Sequence, residues 1–546
     1  MTNEKTGQKA LTRGALVMCI LFLSAAAGWA AGARDSGQAA PSSGAAGSGK
    51  ISDRERTLSV LISDNANQPI KNMALAQQAI LEKTNIRIDF QIVPASNYND
   101  KKSALLATNQ MPEVSFITGN DITRYAPTGL FLPLEKYVNS MPNFKRFWDT
   151  IPDLKKSMIG GELYGFQMVA RNEASNGFGP VIRTDLLAKH SIPIPTTFDE
   201  LLDALESLKR IYPNSRPYSL RNGATLQHFK TSAYMLGSGF GSNGLYYDFD
   251  VDGGKYIFGP ATKEFKTVLK FFADAYRRGV LDPDYATTTS SQFQAKMTGG
   301  TSFFFNDNSG FSIDYTNLLR KIEPDASLEF IPYLTNSYGQ RRAVAYATTL
   351  NDRFFAIRAD IKDPDTIIRF FDWLYSDEGS DITNYGKEGV SFRYNAQGKP
   401  EFIKEYIDRF KDKSPVYYAV FSDAGITKLN FSLYAGNTEQ SFAIQKLAGV
   451  WDDFADKYWA LAAKENLPGT GALVQPVQDP PLSETDAERV KDLTLAVTTY
   501  LEQEYNKYIM GVEPIDNWDR VITRAIELGA NELADIYNRA NAPFKK

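Results

Sequence analysis

"VIRTDLLAKHSIPIPTTFDEL", residues 181–201, decides how the chain is read. It reads as a strand end, a short helix, a break carrying prolines at 193 and 195, and the capped start of a second helix. Proline has a fixed φ and no N–H. Neither Pro193 nor Pro195 can therefore sit inside a helix, and each pushes the preceding residue toward extended geometry. Thr196 or Thr197 can cap the second helix, and Asp199 and Glu200 suit its positive end. The stretch is a rigid connector between two elements.

Upstream, "TLSVLISD" (57–64) has a strand pattern, followed by the turn "NANQP" and the helical spacing of "NMALAQQAILEKTN". The strand "IRIDFQIVP", the helix "NDKKSALLATNQ" and the strand "PEVSFIT" come next. This βαβαβ order favours parallel strands covered by helices, with ligand bound at the carboxyl ends of the strands. Downstream, Thr262–Gly279 and Asp363–Glu378 are amphipathic helices, with Gly279 stopping the first and Pro364 opening the second. From Glu401 on the pattern is mostly helical. Leu467–Leu482 is a proline-rich surface loop, and no internal repeat is visible.

The chain has 546 residues, enough for two or more lobes, and its 43% hydrophobic and 23% charged content is that of an ordinary globular protein. A net charge of −4 argues against nucleic acid as a partner. The only cysteine is Cys19 and the only histidines are His190 and His228. That excludes disulfides and makes a His-based triad or a multi-His metal site untenable. Residues 1–33 have a basic start, an apolar run and a small-x-small site at Ala31–Ala33, the marks of an export signal. An uncleaved anchor is the alternative, and the Gly/Ser/Ala-rich linker 34–55 would suit a tether.

Several stretches together resemble the family 1 extracellular solute-binding proteins of ATP-driven importers, and within them the large lipoprotein-like branch that includes alginate-oligosaccharide binders. They are "LLATNQMPEVSFIT", "GLFLPLEKYV", "GELYGF", "VIRTDLLAKHSIPIPTTFDELLDALESLK", "FFADAYRRGVLDPDYAT" and "FFDWLYSDEGSDITNYGKEGVSF", in family order across about 55–400. The resemblance implies an α/β, two-lobe periplasmic-binding-protein-like fold with an interlobe cleft, a hinge and a helical C-terminal part. Lobe 1 is expected from 56–170 plus 342–400, and lobe 2 from 171–341 plus 401–546. The opening stretch then resembles the crossing from the first lobe to the second. In the alginate-binding branch a calcium loop follows the "LLDALESLK" helix. Here the segment reads "RIYPNSRPYSLRNG". Asn214 remains, but the run of oxygen ligands is missing and Arg216 would repel a cation, so no calcium is expected.

Sugars present hydroxyls and apolar C–H faces, so a sugar site needs planar polar side chains and aromatic rings. Candidates at strand ends are Asn65, Asn67, Asn120, Asp121, Arg171, Asn172, Asn306 and Asp307. Tyr346, Arg353, Phe354, Glu388, Phe392 and Tyr394 complete the set. The competing reading makes each Asn or Asp a turn former, and Phe303–Phe305 and Trp373 core residues. Trp148 could serve either role, and Trp451 and Trp459 share a helix face that could pack or line the cleft.

These features fit an exported, monomeric receptor that captures an oligosaccharide outside the cytoplasmic membrane and delivers it to an ABC permease. No GxxxxGK[ST], HExxH or GxSxG motif occurs, and no cofactor is expected. A secreted polysaccharide-degrading enzyme needs only two carboxylates across a cleft. A sugar sensor or adhesin without transport is the third class. A peptide or other small solute also fits, since fold does not fix ligand chemistry.

Overall fold

The computed structural model describes residues 50–545, less 67, 172–177, 222, 224, 240, 242, 249–250, 345–349, 414, 428–430, 437, 450–452, 466–472 and 475–476. The export segment and most of the linker lie outside the described residues. Strands β1 (Arg56–Ser63), β2 (Ile86–Val93), β3 (Val114–Ile117) and β4 (Phe166–Ala170) come first. β5 (Phe178–Arg183), the hairpin β6 (Leu245–Asp248) and β7 (Lys255–Phe258), β8 (Phe304–Asn308) and β9 (Leu328–Phe330) are next. Then come β10 (Ala343–Val344), β11 (Leu350–Ile357), β12 (Phe392–Tyr394), β13 (Pro400–Phe402), β14 (Tyr434–Ala435) and β15 (Leu473–Val474).

The first sheet runs β14-β4-β11-β3-β1-β2. β1 pairs in parallel with β2 and β3, whereas β11 is antiparallel to both β3 and β4. β3 is buried along its whole length, as a strand covered on both faces must be. β2 alternates Ile, Ile and Phe inward with Arg, Asp and Gln outward, because it is the edge strand. The helix Leu75–Thr84 joins β1 to β2 and ends on Asn85 in the left-handed region at φ 59°. Asn85 O accepts from Arg56 N at 2.9 Å, so this helix returns the chain to the start of β1.

Residues 363–378 differ from the expected single helix. The chain forms Pro364–Leu374, capped by Asp363, and then a separate helix Asp377–Tyr385, capped by the Ser376 hydroxyl. A Cβ at Gly379 would lie 2.2 Å from Trp373 O, so the corner between these helices needs glycine.

The second sheet is β8-β5-β9, antiparallel throughout. The stretch 181–201 lies inside its core: Val181, Ile182, Leu186, Leu187, Phe198 and Leu201 are all buried there. It therefore lies within the second lobe and is not itself the crossing between lobes. Thr197 caps the helix Phe198–Ile211 by accepting from Glu200 N at 3.1 Å. Glu200 reaches back to Thr196 N and Oγ1 at 2.8 and 2.7 Å. The helix Lys263–Arg277 buries Phe265, Val268, Leu269 and Phe272 on one stripe, and Gly279 comes after it at φ 67°.

Two large cores result, one around each sheet. Their membership moves one expected boundary. Phe402, Tyr406, Ile407, Val420, Phe421, Phe431 and Leu433 pack in the first core, so the chain stays with that core from Phe402 to the end of β14 at Ala435. The physical reason is that β14 adds to the edge of the first sheet beside β4. In the helix Thr438–Leu447, Phe442 packs in the second core and Ile444 in the first, which makes it a bridge. The long helix Glu484–Ile509 belongs to the second core through Val497, Leu501 and Tyr505. The described end of the linker is tied down: Ile51 packs on the first core, Ser52 N donates to Thr84 O at 3.1 Å, and Lys50 Nζ donates to Asn85 Oδ1 at 3.0 Å.

Candidate functional site

Strand direction fixes which edges face each other. β1, β3, β4 and β14 all end at one edge of the first sheet, and β11 begins there, since Phe354 lies opposite Ile117. The chain leaves that edge at Ala170 and enters the second sheet at Phe178, which pairs with Asn308 at the end of β8. Lys156 Nζ, from the first core, donates to Gln478 O at 3.1 Å, and Tyr417 of the first core donates to Asp314 Oδ2 of the second at 3.1 Å. The candidate site is the cleft between these two edges.

At the first edge, Asp121 Oδ2 accepts from Thr118 N and Oγ1 at 2.9 and 2.8 Å and lies 2.6 Å from Lys102 Nζ. It starts the helix Gly119–Tyr125 as half of a capping box. Asp352 Oδ1 accepts from Gly119 N at 2.8 Å. Arg171, next along the edge, pairs with Asp381 and donates to Ser380 Oγ at 3.1 Å. Ser380 Oγ and Asn384 Nδ2 both donate to Tyr434 O, at 2.8 and 2.9 Å, which locks β14 beside Arg171.

At the second edge, Arg221 forks onto Asp307 with two bonds of 2.8 Å. Tyr234 and Tyr246 are half-buried, with ring centres 6.2 Å apart. The Arg342 guanidinium lies 4.0 Å over Tyr234 and donates to Gly237 O at 2.7 Å and to the Tyr246 hydroxyl at 3.3 Å. Burial, with Tyr234 adding to it and Arg342 opposing, pushes the Tyr246 hydroxyl up to about 12.

Asp352 and Asp479 lie close enough to act on each other. Both are open to solvent yet ringed by protein. The loss of surrounding water raises both carboxyls, against the Gly119 N–H bond at Asp352 and the Tyr256 hydroxyl bond, 3.1 Å, at Asp479. Each also feels the other's field or that of a near neighbour: Asp352 acts on Asp479, and Asp121 on Asp352. Lys230 is lowered by burial, with Asp479 opposing.

The bacterial extracellular solute-binding protein family matches residues 63–381 of this chain. The chain belongs to that family. It is 26% identical over 343 residues to the polygalacturonan/rhamnogalacturonan-binding protein YtcQ of Bacillus subtilis (strain 168), across 60% of this chain and 64% of YtcQ. The chain thus spans less than two thirds of that relative's length. Among solved structures, alginate-binding protein AlgQ2 without calcium ion is 20% identical, with a TM-score of 0.69 over 90% of this chain and 99% of AlgQ2. An EF-hand mutant of the S. pneumoniae ABC-transporter substrate-binding protein FusA, in complex with fructo-nystose, is 17% identical, with a TM-score of 0.65 over 90% and 99%. These likenesses establish the two-lobe solute-binding-protein fold.

The residues expected to touch ligand fall into three groups in this solute-binding protein. Asn65, Asn120, Asp121, Arg171 and Arg353 stand at the first edge, and Asn306 and Asp307 at the second. Phe354 and Phe392 are corrections: each is 1% exposed, because its position in its strand points it into packed protein. Glu388 lies elsewhere, with Glu82, Lys83 and Lys387 around a hollow of about 330 Å³ against the helix end that meets the start of β1. Tyr394 lines the same hollow and donates to Asp381 Oδ2 at 3.0 Å. Asn67, Asn172, Tyr346 and Trp451 lie outside the described residues, and Trp459 falls on the helix Asp453–Glu465. Trp148 is core, packed on Phe144 with ring centres 5.9 Å apart. The residues missed by sequence reasoning are Tyr234, Tyr246, Arg342, Asp352, Asp381 and Asp479. The doublet "YY" at 246–247 in a short strand was the one available signal.

No calcium is expected after the helix Phe198–Ile211, and the geometry there bears on that expectation. After the helix Phe198–Ile211, the ammonium of Lys209 donates to Pro213 O at 2.8 Å and to Ser215 O at 2.7 Å. Carbonyls that could serve a metal are turned onto an internal cation, and Arg216 adds a second positive charge that lowers the Lys209 pKa after burial itself. Among the described residues no group of three or more His, Cys, Asp or Glu could hold a metal ion. Among them, too, no helix is long and apolar enough to cross a membrane.

Proposed function

We propose that this chain is the capture component of an ABC importer: it holds a carbohydrate between its lobes outside the cytoplasmic membrane and passes it to a permease without chemical change. The observation that carries this reading is the pairing of two polar strand-end edges across a cleft, one of them flanked by a tyrosine pair. Asn120, Asn306 and the carboxylates Asp352 and Asp479 offer hydrogen-bond partners to hydroxyls, and Tyr234 and Tyr246 offer faces to C–H groups. The names of YtcQ, AlgQ2 and FusA support a carbohydrate guest. Hinged closure of the two lobes is the expected motion, and export with a tether through the linker 34–55 would hold the monomer at the membrane face.

Thermal-shift screening of the purified body against an oligosaccharide panel tests this. A ligand at one hundred times its dissociation constant should stabilise by ~2.7 kcal/mol. Tyr246→Ala should abolish most of that shift, and chromatography should recover the oligosaccharide intact. A shift with peptides only, or shortened sugar products, would sink the proposal.

A further inference from the structure

We infer that the guest is a neutral oligosaccharide rather than an acidic one, an inference that rests on the carbohydrate reading above. A uronate or sulfate group in a binding cleft needs a cation with donors to spare, best a guanidinium fork. Three cations at the two edges are already matched to carboxylates. Lys102 is held by Asp121 at 2.6 Å, Arg171 by Asp381, and Arg221 by both oxygens of Asp307 at 2.8 Å. Drawing any of these cations to a ligand would leave a carboxylate stranded beside it. Arg353 acts on the carboxyl of its neighbour Asp352.

Arg342 has a different chemistry. It lies flat on Tyr234 and donates to Gly237 O and the Tyr246 hydroxyl, so it braces the ring pair. A braced ring pair suits the apolar C–H face of a neutral pyranose or furanose.

The remaining cations of the cleft already lie in the fields of carboxylates: Lys102 and Arg353 act on Asp352, and Lys156 and Lys230 on Asp479. Asp352 and Asp479 stand open on its walls, and Asp314 is nearby at the contact between the lobes, half-buried against Tyr417. All three carboxyls sit above their ordinary values, chiefly because surrounding protein displaces water. A guest bearing its own carboxylates would meet like charge in a dehydrated space. Neutral hydroxyls would instead donate to these oxygens.

Titration calorimetry on the full body separates the possibilities. Length-matched neutral series (fructo-, malto-, manno- and xylo-oligosaccharides) and acidic series (oligogalacturonates and alginate oligosaccharides) are compared at low and high salt. One neutral series should bind at least tenfold tighter than either acidic one, with affinity insensitive to salt. Asp307→Asn releases the Arg221 fork and should narrow the neutral-to-acidic ratio several-fold; Asp381→Asn does the same for Arg171 should the first variant misfold. Acidic sugars binding as tightly as any neutral one, or affinity falling steeply with salt, overturns the inference and leaves the carbohydrate reading intact. Heat with no carbohydrate of either class overturns both.

Discussion

The two edges of the cleft are built differently. At the helix start of the first, polar side chains are fixed by neighbours in sequence: Thr118 and Asp121 cap one turn, Lys102 holds Asp121, and the distant partners are Asp352 on Gly119 N and Asp381 with Ser380 on Arg171. At the second, they are fixed by partners far along the chain, such as Arg221 to Asp307 and Tyr256 to Asp479, the latter 223 positions apart. A mixed, mostly parallel sheet supplies strand ends that run at once into helix starts, whose free N–H groups recruit local caps. In the second sheet β8 also runs into a helix, Phe311–Leu319, but its N-cap is Gly310 with no side-chain cap, and the polar groups beside it are held by distant partners. The Gly119–Tyr125 turn of the first edge is therefore set locally, whereas Asp307 and Asp479 at the second depend on partners far along the chain.

Breaking each core separately tests this division with the largest effects. Phe166 is fully buried and stacks 4.7 Å from Phe371; Phe272 is equally buried, 4.6 Å from Phe229. Either Phe→Ala change should cost ~3–5 kcal/mol by leaving a cavity. In calorimetry each should lower a different component of the melting profile. A single transition moved equally by both would mean that the two cores unfold as one.

The contact between the lobes is sensitive to pH in a defined direction. The Asp314 carboxyl, ordinarily at 3.8, is pushed up to about 6 by burial, against the pull of the Tyr417 hydroxyl. The folded protein therefore holds this proton more tightly than the unfolded chain. The stability it contributes is complete below the unfolded value and is lost as pH rises through the folded one. Asp314→Asn should be more stable than the parent by up to about 2 kcal/mol near neutral pH and should flatten the decline between roughly pH 4 and 7. Parallel pH–stability curves for the two proteins would show that Asp314 titrates normally.

The local-versus-distant contrast predicts different side effects for two carboxylate removals of similar size. Asp121→Ala and Asp307→Ala should each cost ~1.5–3 kcal/mol, since each strands a charged or capped partner. Hydrogen exchange should quicken only around Gly119–Tyr125 in the first variant. In the second it should quicken at residues 221–232 as well as at the end of β8, where Arg221 is tethered.

The same contrast explains how much the sequence revealed. The first sheet was legible because "VLI", "IRIDF" and "VSFI" carry strand periodicity and the helices between them carry their own stops. Thr197 and Glu200 announced their cap for the same reason. Asp381 and Asp479 carried no signal, because their roles depend on Arg171 and Tyr256, which no local pattern connects to them. Phe354 and Phe392 misled for a related reason: an aromatic residue near a strand end points to cleft or core according to pleat and register, which the sequence leaves open. The core membership of Phe402, Tyr406 and Leu433 was not legible either, because β14, which joins that stretch to the first sheet, is only two residues long.

The smallest effect concerns the turn after the helix Phe198–Ile211. Missing oxygen ligands and Arg216 argued against calcium; the Lys209 ammonium, bonded to Pro213 O and Ser215 O, supplies the cation from within the chain. Lys209→Met keeps the aliphatic stem and removes the donors, leaving two half-shielded carbonyls to water, at a cost of ~1–2 kcal/mol. Chelator or added calcium should leave the melting temperature of the parent protein unchanged. If calcium restores the lost stability of the Met variant, the carbonyls form a metal-competent shell that lysine merely fills. If it does not, the loop lacks the oxygens that a hard cation needs, and the lysine is its only available closure.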